Sequence, residues 1–231
     1  GNMYNTFMIG DIHGVWEFLN KFINEKSPDF IIQLGDFGWW PHFHNKKGLL
    51  RRDKIFNQFG IKNNNTKIYW IAGNHENWND LNCLTDYAPI EIQAGVTYCP
   101  FGTVLQLNDT KILCCGGAES IDKHLRTENI DWWRNELISQ QDMDNLPDTN
   151  IDIVVSHTAP RSFLKAINWY DDKFNDPSTF ALDIVLNEYK PNYWFSGHFH
   201  RFKKAKIKDC EWISLSMTGI HDKWWFKLEG D

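Results

Sequence analysis

Aspartate, asparagine and histidine recur along this chain in five short marks, each at the end of an apolar run. The marks are Gly10-Asp11-Ile12-His13-Gly14, Gly35-Asp36, Gly73-Asn74-His75-Glu76, Ser156-His157 and Gly197-His198-Phe199-His200. Asp11 and His13 are two apart, as are His198 and His200, so on extended chain each pair points the same way. Carboxylate and imidazole donors without thiolate suit Mn, Fe, Zn or Ni. Two such cations sharing one carboxylate sit about 3.5–4 Å apart and can clamp both ends of a displacement at phosphorus. Any one of the nine histidines is more often a surface or core residue than a ligand. Five marks in series point instead to one two-metal hydrolytic site.

The runs before the marks say what must position them. They are Thr6–Ile9, Phe30–Leu34, Ile68–Ala72, Ile151–Val155 and Tyr193–Phe195, short and rich in β-branched and aromatic residues. Such runs read as buried strands. Polar residues just past the C-terminal ends of parallel strands converge on one rim, where open α/β sheets place their ligands. Helical apolar stripes are expected over Val15–Lys26, Gly48–Phe59, Asp131–Met143 and Ser178–Tyr189, the last capped by Asp176 or Ser178. The β-helix-β-helix-β order across residues 6 to 72 implies parallel strands with right-handed crossovers. Residues 90 to 118 alternate between short strands and turns, as in an antiparallel meander, so a second sheet packed on the first is expected. Trp212–Leu215 and Trp224–Leu228 read as two more strands. The expected fold class is α/β, in a single domain over residues 1–231.

At this point the chain resembles the calcineurin-like metallophosphoesterase family, which is marked by D-x-H, G-D, G-N-H-[DE], a later His and G-H-x-H in this order. The resemblance spans Asp11 to His200. It implies a four-layer αββα sandwich of two mixed sheets flanked by helices, with the metal site at the C-terminal ends of strands. It implies two divalent ions, with Mn favoured and Fe, Zn or Ni open. One would be held by Asp11, His13, Asp36 and His200. The other would be held by Asp36, Asn74, His157 and His198, with Asp36 bridging. The implied activity is hydrolysis of a phosphomonoester or phosphodiester by a metal-bridging hydroxide, with His75 assisting the leaving group. Glu76 reads as support for a neighbour. The stretch Asp36-Phe37-Gly38-Trp39-Trp40 lacks the second Asp and the Arg of the protein phosphatase branch, and Trp39 stands where purple acid phosphatases carry a ligand Tyr. Phosphate-gripping cations must then come from elsewhere, and Arg126 and Arg161 are the candidates. Trp39 is a candidate for stacking on a substrate ring, and His42 and His44 lie in the following loop.

Composition narrows the function class. A formal charge of −6 argues against strong binding of duplex nucleic acid. Basic stretches survive at Lys46–Lys54 and Arg201–Lys208, the second close enough to the last mark to draw an anionic substrate. Five cysteines without framework spacing read as thiols in a reducing compartment, and the expected location is cytoplasmic. Neighbouring Cys114 and Cys115 should point to opposite faces of a strand. No apolar run approaches the length of a membrane span. The expected partner is a phosphorylated small molecule, a nucleotide or a phosphoprotein. A small phosphodiesterase or nuclease acting on nucleotides or nucleic-acid ends is the alternative within the enzymes. A non-catalytic protein-binding scaffold on the same fold is the alternative outside them. The sequence leaves oligomeric state open.

Overall fold

The computed structural model describes residues 5–39, 42–45, 48–51, 60–62, 65–120, 123–126, 128–129, 132–220 and 223–229, with only the backbone of 42–45 and 48–51. In chain order the elements begin β1 (Thr6–Ile9), α1 (Trp16–Lys26), β2 (Phe30–Gln33), β3 (His42–Asn45), β4 (Gly48–Arg51), β5 (Lys67–Trp70) and α2 (Trp78–Leu84). The meander follows as β6 (Ile90–Gln93), β7 (Val96–Tyr98), β8 (Val104–Leu107) and β9 (Thr110–Cys115). Then come α3 (Gln140–Asp144), β10 (Ile153–Ser156), α4 (Arg161–Ala166), α5 (Pro177–Tyr189) and β11 (Tyr193–Ser196). The chain closes with β12 (Lys203–Ile207), β13 (Cys210–Ser214) and β14 (Trp225–Leu228).

Two mixed six-stranded sheets result, in the orders β14-β1-β2-β5-β7-β6 and β12-β13-β11-β10-β9-β8. In each, four central strands run parallel and the two edge strands antiparallel. Period-two alternation sends neighbouring side chains to opposite faces, and three cores follow. Phe7, Ile9, Ile31, Ile68 and Trp70 pack outward against Leu19 and Phe22 of α1. Met8, Ile32, Cys114, Val155, Phe195 and Ile213 fill the space between the sheets. Leu113, Cys115, Val154, Trp194 and Trp212 face Phe163 of α4 and Leu182 and Val185 of α5. Cys114 and Cys115 thus enter different cores, and the layers are helix, sheet, sheet, helix.

Two local expectations need correction. The helix expected over Gly48–Phe59 begins instead as β4, which pairs with β3 from Asn45↔Gly48 to His42↔Arg51, while residues 52–59 lie outside the described residues. A run as short as Leu49-Leu50 fits either period, and a glycine start disfavours helix. The helix expected over Asp131–Met143 is a 3₁₀ turn at Arg134–Glu136 followed by α3. Its backbone is used elsewhere: the Glu136 carbonyl accepts from Ala118 N at 3.0 Å, and Ser139 starts α3 with a reciprocal capping box to Asp142. The basic stretch after His200 forms edge strand β12, whose Lys203, Lys204 and Lys206 are exposed. Lysines on an edge strand block pairing with another chain. The expected helix at 178–189 forms one residue earlier, with the Asp176 carboxylate accepting from Ser178 N.

Candidate metal centre

All seven candidate ligands lie just beyond strand ends. Asp11 and His13 follow β1, Asp36 follows β2, Asn74 follows β5, His157 follows β10, and His198 and His200 follow β11. Parallel pairing puts those ends on one rim of each sheet, and face-to-face packing brings the two rims together. The turns are tight enough that His13, Asp36, His198 and His200 all take positive φ, from 50° to 74°. Each such non-glycine residue costs on the order of 1–3 kcal/mol, and clusters of them mark functional sites. Gly73 and Gly197 are required by crowding: a methyl group on the first would overlap the Asp36 carboxylate and on the second the Asp11 carboxylate.

The side chains form two adjoining groups. In the first, His200 Nε2 stands 3.0 Å from Asp11 Oδ2, and His13 Nε2 stands 3.7 Å from the same oxygen and 3.2 Å from Asp36 Oδ2. One ligand atom from each of Asp11, His13, Asp36 and His200 falls within 4.8 Å of every other, close enough to hold one ion. In the second, His157 Nε2 lies 3.3 Å from Asp36 Oδ1 and 3.0 Å from Asn74 Oδ1. His198 Nδ1 lies 3.1 Å from Asn74 Oδ1. Asp36 therefore faces one group with Oδ2 and the other with Oδ1.

Hydrogen bonds on the far side of these groups decide which atoms point inward. Ser120 Oγ donates to Glu136 Oε2 at 2.8 Å, so it must accept from Asn74 Nδ2 at 3.1 Å. That fixes the Asn74 amide with its oxygen turned in. His157 Nδ1 donates to the Leu34 carbonyl at 2.7 Å, which leaves Nε2 facing the two oxygens. Two oxygens and an imidazole nitrogen now converge with no donor among them unless His157 is protonated, and a cation fits such a group. Electrostatics say the same. Burial opposes charge on His157, but Asp36 and Asp11 outweigh it and raise its pKa to about 10. Burial likewise opposes ionisation of Asp36, yet His157 and His13 hold its carboxyl well below the usual range. His13 is raised, burial being outweighed by its bond to Asp36. Burial and the neighbouring His157 charge push His198 down to about 3. The site thus demands positive charge and supplies neutral imidazole beside it.

Glu76 is fully buried and is no solvated acid. It accepts from Gly73 N and Gly38 N at 2.8 Å, Trp39 N at 3.1 Å and Phe37 N at 3.3 Å, tying the loop after Asp36 to the loop before Asn74. Burial, then the nearby Asp36 charge, raises its pKa against those bonds. His75 sits beside the ligand cluster, with its ring 5.7 Å from that of His13.

The three substrate-binding candidates meet other partners. An Arg126 Nη lies 3.2 Å from His75 Nδ1, and another bonds Ser120 Oγ. Arg161 spends its fork on the start of α5, donating to Thr179 Oγ1 and the Asp176 carbonyl at 3.1 Å. Trp39 is wholly buried, its ring 5.9 Å from that of Trp70 and its Nε1 donating to Asp80 Oδ2 at 2.5 Å. It therefore presents no face to a substrate, because the bonds of Glu76 draw its backbone inward. Trp40 and the side chains of His42 and His44 lie outside the described residues. Sequence reading passed over the wall of a cavity of about 410 Å³ beside the cluster, formed by Trp169, Tyr170, Phe174 and Phe199. The signal available was Asn168-Trp169-Tyr170-Asp171-Asp172-Lys173-Phe174, a loop dense in aromatics with no helical period.

The model of the calcineurin-like phosphoesterases matches residues 5–202. The chain belongs to that family. A comparison with curated proteins returns no match. Among solved structures, the phosphopantetheinyl hydrolase of Mycobacterium tuberculosis is similar at TM-score 0.51 and 15% identity, covering 99% of this chain and 97% of the other. An archaeal phosphodiesterase gives TM-score 0.42 at 11% identity, covering 97% and 98%. A predicted phosphoesterase of Streptococcus pneumoniae gives 0.41 at 12%, covering 99% and 83%. At 15% identity the likeness to the first of these shows the fold alone. As a calcineurin-like phosphoesterase, the chain has a candidate metal-binding group where the family's motifs fall. Among its described residues no helix is long and apolar enough to cross a membrane.

Proposed function

We propose that this chain is a divalent-metal-dependent hydrolase of phosphoric esters, acting on a phosphomonoester or phosphodiester of a small molecule, nucleotide or phosphoprotein. The observation that carries the reading is the division of Asp36, with Oδ2 beside His13 and Oδ1 beside His157. Asp11, His13, Asp36 and His200 would hold one ion, and Asp36, Asn74, His157 and His198 a second. Divalent ions so held would supply an acidified water and neutralise charge on the phosphoryl oxygens. The N/O donor set suits Mn, with Fe, Zn or Ni as substitutes. Free cysteines throughout are consistent with the cytoplasmic location we infer.

The chain's own residues do the rest. An arginine only donates, so the Arg126 contact makes His75 Nδ1 the acceptor and leaves the ring proton on Nε2. His75 lines the cavity and is placed to give that proton, or a hydrogen bond, to the leaving oxygen. Arg126 acts through His75, as a positioning residue. The clamp of Glu76 keeps Asp36 and Asn74 in register, and Ser120 with Glu136 keeps the Asn74 oxygen inward.

The test is a side-by-side assay of p-nitrophenyl phosphate and bis-p-nitrophenyl phosphate after chelation, with Mn, Ni, Zn and Mg returned in turn. Hydrolysis of either substrate that appears only with a transition ion is expected. Equal rates in the chelated and reconstituted protein, or none in both, would overturn the reading.

A further inference from the structure

The cavity beside the ligand cluster carries a second chemistry. Its aromatic wall comes from Trp169, Tyr170 and Phe174 in the loop between α4 and α5, and from Phe199 between two ligand candidates. All four rings are partly exposed, and Trp169, Tyr170 and Phe199 are braced by neighbours. Trp169 lies 5.5 Å from Phe199, 5.8 Å from Trp212 and 4.9 Å from the Arg201 guanidinium. Arg161 and Lys165 stand 5.3 Å and 5.1 Å from the Tyr170 ring, whose hydroxyl donates to Asn175 Oδ1 at 2.8 Å. Rings held this way lose little freedom when a ligand stacks on them. Away from the ligand cluster the polar lining is Thr158, Asp171, Asp176 and Thr179; the last two are buried and spent on the start of α5, which leaves Asp171 as the exposed acceptor. Among the described lining residues away from the ligand cluster there is no lysine or arginine; the cations stand behind the rings.

An anionic leaving group would meet the exposed Asp171 carboxylate with no cation on the cavity lining to offset it. A flexible aliphatic group would leave the rings unmatched. A flat, uncharged ring with N–H or O–H groups on its edge satisfies both walls, because every such ring offers a π-face for stacking. At about 410 Å³ the cavity falls within the range that holds a ligand of drug size.

We propose that the group esterified to the phosphate is an uncharged heteroaromatic ring system of the nucleoside class, stacked on the Trp169–Tyr170–Phe174–Phe199 wall. This rests on the hydrolase reading for the phosphate half alone; the ring half has its own test. Adenosine carries no phosphate and needs no metal, so its binding reports the wall. We would titrate adenosine, with glycerol as the aliphatic comparison, into Mn-supplemented protein by calorimetry and ligand-observed NMR. Trp169→Ala and Phe174→Ala would follow, each checked for its fold by circular dichroism. The second variant covers the case in which loss of Trp169, packed on Trp212, disturbs the core. The expected result is saturable adenosine binding, none by glycerol, and roughly 5- to 150-fold weaker binding in either folded variant. No saturable adenosine signal up to about 10 mM would overturn the proposal, as would unchanged affinity in both variants. Metal-dependent hydrolysis of bis-p-nitrophenyl phosphate without adenosine binding would sink this proposal and leave the hydrolase. Adenosine binding without hydrolysis of any ester would sustain the wall and sink the hydrolase.

Discussion

His75 and Arg126 form the pair whose roles a few substitutions separate. His75→Ala should keep the bound metal, because its ring is no part of either ligand group, and should lose about 10²–10⁴ in kcat. Elemental analysis beside steady-state kinetics checks this, and a variant near wild type on a substrate with a poor leaving group would remove His75 from the chemistry. Arg126→Ala should lower kcat less, by about tenfold, with KM little changed, and Arg126→Lys should restore part of it. Adding Arg126→Ala to His75→Ala should cost nothing further if the arginine works only through that ring. An additive double variant would mean that Arg126 touches substrate by itself. The ligand types and the glycines among them were legible in the sequence, because rim chemistry and tight turns impose residue identity locally. The partner of Arg126 was not, since its 51-residue separation from His75 is closed only by the fold.

At the scale of elements, the strands before each mark and helices α1 and α5 were readable from period and caps. Gly48–Arg51 was misread, because two leucines carry no period. The helix expected over Asp131–Met143 does not form as one element because Glu136 turns inward, accepting from Ser120 N and Trp132 Nε1 at 2.8 Å, and tertiary bonds outweigh helical propensity there. The Glu76 clamp is the element-scale device most open to test. Glu76→Gln turns an N–H₂ toward backbone donors in a buried site, so a loss of about 2–4 kcal/mol is expected. Chemical denaturation measures it. A change under about 0.5 kcal/mol would mean that the loops after β2 and β5 hold their register without it.

Across the whole molecule, three cores bury groups that resist ionisation. Burial pushes the Tyr98 hydroxyl and the Cys115 thiol up, and lifts Cys210 to about 12. Cys114 is raised through its contact with Cys99 and by burial. The folded chain therefore keeps protons that the unfolded chain releases above pH 9 for thiols and pH 10 for tyrosine. Stability should be level with respect to these groups below about pH 8 and then fall by about 1.4 kcal/mol per pH unit for each group that titrates only when unfolded. Thermal melts of chelated protein between pH 7 and 10 should show that decline added to the loss from His157, whose folded pKa of about 10 lies above its ordinary 6.5, and above pH 9 the slope should be less steep in Cys115→Ala; an unchanged slope in that variant would contradict the assignment. The central claim, though, concerns the rim where the two sheets meet. Anomalous diffraction from crystals of Mn-reconstituted protein tests it most directly. Two Mn peaks are expected, one beside Asp11, His13 and His200 and one beside Asn74, His157 and His198, with Asp36 between them and both weakened in Asp36→Asn. A single surface-bound ion, or two full peaks that persist in Asp36→Asn, would contradict the account.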